Sequence, residues 1–113
     1  MSAQFVLKRA EIGGAIFSYR DSTGRVILTS QRYDTTGAAR AGIESIRANG
    51  AVDDRYERLM ARSGHPYFNL KTADGEIVCT SVMFASPQER HAAIEEMQRS
   101  AAAAPIVTAA TGD

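Results

Sequence analysis

The chain contains one stretch twice, and that repetition limits what it can fold into. Thr23-Gly24-Arg25-Val26-Ile27-Leu28-Thr29-Ser30 returns 51 positions later as Asp74-Gly75-Glu76-Ile77-Val78-Cys79-Thr80-Ser81. At the same offset Phe5 meets Tyr56, Gly13 meets Gly64, Phe17 meets Phe68 and Tyr33 meets Phe84. Ile43-Glu44 meets Ile94-Glu95, and Ile46 meets Met97. No gap is needed between Phe5–Asn49 and Tyr56–Ser100. A fixed offset of this kind marks one supersecondary unit used twice. A unit of ~50 residues buries too little surface to be secure alone, so the two copies are expected to share a core. The expectation is one domain over residues 1–113, with repeats at about 4–50 and 55–101 and a short final strand near 105–109.

Within each copy the periodicity changes once. Phe5 to Arg9, Ala15 to Arg20 and Val26 to Ser30 read as strands, separated by turns at Glu11-Ile12-Gly13-Gly14 and Asp21-Ser22-Thr23-Gly24. Three strands joined by tight turns make an antiparallel meander. The Val26-Ile27-Leu28 run points to a central place in the sheet or burial on both faces. Ala39, Gly42, Ile43 and Ile46 then follow helical spacing. Thr35 is the expected N-cap, and Asn49-Gly50 the stop, because both residues tolerate a left-handed C-terminal position. Gly42 inside a helix costs roughly 1 kcal/mol against alanine, so close approach of helix to sheet is the expected compensation.

The second copy follows suit, with strands at Tyr56 to Met60, His65 to Leu70 and Ile77 to Ser81. Ser86-Pro87-Gln88-Glu89 predicts a capped helix start, and the helix runs to about Ala101 with Ala93, Ile94 and Met97 inward. Ile106-Val107-Thr108 is β-prone, and at the same offset Val107 meets Tyr56. A last strand is expected there, serving the second helix as Tyr56 to Arg58 serves the first, so that the units exchange strands. Thr111-Gly112-Asp113 is expected to fray.

Formal net charge is zero, with 13 basic and 13 acidic side chains, which gives no general attraction to polyanions. No stretch approaches the ~18 apolar residues of a spanning helix, and the N-terminus lacks the apolar run of a signal peptide. One cysteine makes no internal disulfide and fits a reducing compartment, so the expected location is cytoplasmic and no membrane partner is expected.

No residue is assigned as catalytic, cofactor-binding or metal-ligating, and no cofactor is expected. Cys79 lies in a strand at the position of Leu28, which favours a buried small apolar role over a nucleophile. His65 and His91 lack metal-ligand spacing, and His91 matches Arg40 on a helix surface. Gly13-Gly14 precede a strand, with no lysine followed by Ser or Thr, so they are no phosphate loop. Thr29-Ser30 and Thr80-Ser81 are related by the repeat and hence by an approximate two-fold axis. Their hydroxyls either line a shared groove or bond backbone groups where the third strands end; the second account is preferred. Arg20, Arg25, Arg32, Arg40 and Arg47, interleaved with Tyr19 and Tyr33, raise the alternative of a nucleic-acid surface on the sheet's open face, but acidic residues interrupt them.

The chain resembles the YegP-like family of small uncharacterised bacterial proteins. The resemblance is carried by Phe68-Asn69-Leu70-Lys71-Thr72-Ala73-Asp74-Gly75-Glu76, by Thr29-Ser30 with Tyr33, and by Gly42-Ile43-Glu44-Ser45-Ile46. It implies an α+β fold, a tandem repeat of three antiparallel strands plus one helix. The units interlock by strand exchange into a shared sheet with both helices on one face. One-unit members are expected to pair as dimers; here the second copy supplies that partner, so a monomer with internal pseudo-two-fold symmetry is expected. The resemblance brings no catalytic residue. The function expected is that of a small non-enzymatic binding or interaction module.

Overall fold

In a computed structural model, residues 3–9 and 13–109 are described. The expected turn residues Glu11 and Ile12 and the tail Thr111-Gly112-Asp113 lie outside them. The first copy supplies β1 (Gln4–Arg9), β2 (Ala15–Arg20), β3 (Val26–Thr29) and α1 (Thr36–Asn49). The second supplies β4 (Tyr56–Met60), β5 (Pro66–Lys71), β6 (Ile77–Ser81) and α2 (Pro87–Ser100), and the chain ends in β7 (Ile106–Ala109). All seven strands form one mixed sheet in the order β4-β5-β6-β3-β2-β1-β7.

The two meanders join edge to edge through β3 and β6, antiparallel, with Thr29 opposite Thr80. These are the same position in the two copies, so the pseudo-two-fold axis passes between them. Each helix then carries the chain to an outer edge. After α1 it arrives at β4, antiparallel to β5 of the second copy. After α2 it arrives at β7, parallel to β1 of the first copy. If each unit is counted as two inner strands, a helix and the strand that follows it (β2-β3-α1-β4 and β5-β6-α2-β7), that is the strand exchange, and its two arms differ in detail. β1 already occupies the place equivalent to β4, so β7 is added outside it.

Both helices pack on one face of the sheet. Ala39, Ile43 and Ile46 of α1 and Ala93, Ile94 and Met97 of α2 join Phe5, Leu7, Phe17, Tyr19, Phe68 and Leu70 in one buried cluster. The run read as central is central. A bulge opposite Arg20 lets consecutive residues Ile27 and Leu28 both enter the core. The second copy carries the matching bulge opposite Lys71.

Local details follow the side chains. The Ala38 N–H bonds Thr35 Oγ1 (3.0 Å), and the Glu89 N–H bonds Ser86 Oγ (3.2 Å), as N-caps should. Glu89 returns to the Ala85 N–H, one residue earlier than a capping box requires. The stop at Gly50 is not left-handed. Its φ is −66°, and a Cβ there would lie 2.8 Å from the Ile46 carbonyl and 3.2 Å from Ala101 Cβ. Glycine serves tight packing there rather than backbone handedness. A Cβ at Gly42 would sit 2.4 Å from Tyr33 Oη and 3.1 Å from the Phe17 ring, which is the close approach expected of it.

Candidate functional site

Alternation along the strands separates the four hydroxyls of the paired Thr-Ser motifs. Ser30 and Ser81 point to the buried side, each 8% exposed. Ser30 Oγ accepts from the Phe17 N–H (2.9 Å) and donates to the Gln31 carbonyl (2.7 Å). Ser81 repeats this with Phe68 and Val82 at the same distances. Both serines therefore complete backbone bonding where the third strands end, as preferred above, and the shared four-hydroxyl groove is excluded. Thr29 and Thr80 are exposed on the opposite, helix-free face.

On that face cross-strand pairing builds a transverse row. Val6 is opposite Ser18, Ser18 opposite Thr29, Thr29 opposite Thr80, Thr80 opposite Asn69, and Asn69 opposite Glu57. From the axis to the β4 edge the row is a closed polar chain. Thr80 Oγ1 donates to Asn69 Oδ1 (2.7 Å), Asn69 Nδ2 donates to Glu57 Oε1 (3.1 Å), and Lys71 Nζ lies 3.2 Å from that same oxygen. The hydrogen bond from Asn69, and then Lys71, hold the Glu57 carboxyl below its usual range. On the β1 side Val6 stands where Glu57 stands, and Arg20 where Lys71 stands. There Val6, Lys8, Ile16, Ser18, Arg20, Val26 and Thr29 line a cavity of about 160 Å³.

A second concavity, about 450 Å³, lies where the end of α2 meets β1, lined by Ala3, Ser22, Glu96, Arg99, Ser100 and Ala104 among others. Tyr19, fully buried from the core side, donates its hydroxyl to Glu96 Oε1 at 3.0 Å. Burial raises the Glu96 carboxyl, while the Tyr19 hydrogen bond opposes that shift.

The remaining candidates are dispersed. Cys79 is buried in the core, and burial pushes its thiol up to about 12, the opposite of an activated nucleophile. His65 sits in the β4–β5 turn against Ser63 (2.9 Å), and His91 lies on the exposed side of α2, 3.4 Å from Glu95. Gly13 and Gly14, both at positive φ, lead into a strand. Among the described residues no group of three or more His, Cys, Asp or Glu is placed to hold a metal, and no helix is long and apolar enough to cross a membrane.

The five arginines do not form one surface. Arg25 stacks over Phe84 (5.2 Å), and Arg32 donates to the Gly13 carbonyl. Arg47 lies over Phe5 (5.7 Å) and donates to the Ala104 carbonyl (2.6 Å), Arg40 is exposed on α1, and Arg20 lines the sheet-face cavity. Tyr19 is core and Tyr33 stacks on Phe17 at 6.0 Å. The contrast of Val6 and Arg20 with Glu57 and Lys71 was visible in the sequence alignment of the halves. Its meaning needed the knowledge that all four residues share one face.

The family model described as domain of unknown function (DUF1508) matches this chain twice, over residues 12–57 and 61–107. The chain belongs to that family. Each DUF1508 match runs from the second strand of a meander through the helix into the strand after it, which is the unit the exchanged edge strands delimit. UPF0339 protein ACIAD0721 of Acinetobacter baylyi is 37% identical over 106 residues, covering 94% of this chain and 96% of the relative. UPF0339 protein YegP of Escherichia coli O157:H7 is 35% identical over 98 residues, covering 87% and 89%. The solution structure of UPF0339 protein SO3888 from Shewanella oneidensis superposes with a TM-score of 0.88 at 32% identity, covering 97% of this chain and 93% of that one. These relatives and the DUF1508 family are uncharacterised, and nothing in them indicates an enzyme or a nucleic-acid-binding protein.

Proposed function

We propose that the chain is a small non-enzymatic binding module whose working surface is the helix-free face of the sheet. The observation that carries this reading is the transverse row. It presents Ser18, Thr29 and Thr80 outward across the two-fold axis, while the opposite face is consumed by the core. Ile16, Tyr67 and Leu59 beside the row are half-buried, which gives the face apolar contact area as well as hydroxyls. The groups with chemical potential support the non-enzymatic part. The thiol is buried, and the two histidines sit on separate elements, each engaged by a neighbour.

The single buried cysteine supports a cytoplasmic location, and the internal two-fold supports a monomer. Sedimentation equilibrium should return the monomer mass, and a dimer would remove the argument that the second copy replaces a partner chain. For the working surface the measurement is amide chemical-shift mapping with a small-fragment set on the isotope-labelled full chain. Changes are expected at Ser18, Thr29, Tyr67 and Thr80. Changes confined to the outer surfaces of α1 and α2 would overturn the reading.

A further inference from the structure

The two ends of the transverse row stand at repeat-equivalent positions, with β7 flanking only the β1 end, and they differ in charge balance. At the β4 end the cation, Lys71, has Glu57 as counter-ion, and the carbonyl and amide of Asn69 are both used. At the β1 end there are two cations, Lys8 and Arg20, and among the described residues neither makes an ion pair or a hydrogen bond. Ser18 and Thr29, which lie between them, also make no side-chain hydrogen bond there. Arg20 Nε is buried without an acceptor. The Nε atoms of Arg47 and Arg90 are likewise unpartnered, but those side chains are anchored through their terminal nitrogens to the Ala104 and Leu59 carbonyls. Arg20 has no such anchor.

Lys8 and Arg20 approach the same cavity from its two ends. Lys8 pairs with Ile16, and Arg20 lies four residues further along β2, about 13 Å away along an extended strand. Between them lie two hydroxyls and the side chains of Val6, Ile16 and Val26. The result is a concave site with donors, two positive charges and apolar walls, and no carboxylate of its own among the described residues. An arginine fork and an ammonium set around hydroxyls suit an oxyanion.

We propose that this cavity binds a small organic oxyanion, a carboxylate or phosphate carried on an apolar body of about six heavy atoms, because a cavity of about 150 Å³ holds a benzene-sized group. Val6 is the residue that leaves the site without an anion: its counterpart Glu57 supplies the carboxylate internally at the other end. This rests on the reading of the helix-free face as the working surface and names what part of that face selects.

The probes are benzoate and phenyl phosphate, with benzyl alcohol and benzylamine as the neutral and cationic counterparts, titrated into the labelled full chain. Saturable amide shifts are expected at Val6, Lys8, Ser18 and Arg20 for the two anions, weakening with added salt. Tighter binding of phenyl phosphate than of benzoate, or the reverse, identifies the head group within the proposed class. Lys8→Gln and Arg20→Gln should each weaken binding about tenfold, and together should abolish it. Val6→Glu should do the same by supplying an internal carboxylate; amide spectra check that each variant remains folded. Benzyl alcohol binding as tightly as benzoate at this cavity would overturn the oxyanion assignment while leaving the working face intact. Equal shifts at Glu57, Asn69 and Lys71, or no loss in the glutamine double variant, would overturn the subsite. Anion shifts absent from the whole face would overturn it as well, and fragment shifts confined to the helices would remove the face itself.

Discussion

The two halves of the sheet share a three-strand backbone, with β7 added beside β1 alone, and differ in how their open faces are completed. In the second half Thr80, Asn69, Glu57 and Lys71 satisfy one another. In the first half Thr29, Ser18 and Val6 form no such chain, and Lys8 and Arg20 stand over them without a counter-ion among the described residues. On the buried face the halves stay alike. Phe17 stacks on Tyr33 as Phe68 stacks on Phe84, at 6.0 and 6.1 Å, and Ser30 bonds as Ser81 does. The core constrains both copies to one packing solution, because interiors are close-packed and volume changes are felt. The solvated face carries no such constraint, so the copies are free to diverge there.

The largest expected effect tests whether the halves depend on one another. A chain ending after Asn49 would leave the β3 edge unpaired and open the common apolar cluster. It should show no cooperative monomeric unfolding transition in urea. A cooperative transition would mean that each half has its own core. Next come the serines. Ser30→Ala and Ser81→Ala each orphan a buried backbone N–H, of Phe17 and Phe68 respectively. Each should cost about 1–3 kcal/mol, and by equal amounts, in denaturant titrations. Unequal losses would show that the buried faces are less alike than their geometry.

Gly42 and Tyr33 in the first half face the same problem as Ala93 and Phe84 in the second. The tyrosine hydroxyl takes the space that the alanine Cβ takes in the other copy. Gly42→Ala alone should cost on the order of 1 kcal/mol, as overpacking outweighs the helix-propensity gain. Adding Tyr33→Phe should restore stability, giving a favourable coupling of roughly 0.5–3 kcal/mol in a double-mutant cycle. Additivity of the two would break the comparison. The smallest effect concerns pH. The folded-state pKa of Glu57 is lowered, so its contribution is present above the ordinary carboxylate range and lost as pH falls through the depressed value. Its carboxyl carbon should titrate below the usual midpoint by NMR, and Glu57→Gln should slightly flatten the acid limb of stability. Val6 has no proton to lose, so the first half should show no counterpart.

Much of this was legible in the residues. The offset of 51 predicted two equivalent meanders and two equivalent helices, and the caps at Thr35 and Ser86 could be named from their side chains. Gly50 was misread, because a glycine after a helix is equally consistent with left-handed backbone and with a close neighbour, and Ala101 is far away in sequence. The Thr-Ser motifs were recognised as equivalent, but alternation along a strand sends the threonine and serine of each motif to opposite faces. That separation divided one imagined groove into a structural pair and a surface pair.

Local order, the repeat and the division into strands and helices came from the chain itself, since turn chemistry and periodicity act over a few residues. Which edges meet was decided only in three dimensions: Thr29 opposite Thr80 across the axis, β7 parallel to β1, and the common face of Val6, Lys8 and Arg20. Those pairings join residues distant in sequence, and their energies come from burial and cross-strand contact that no local segment possesses on its own.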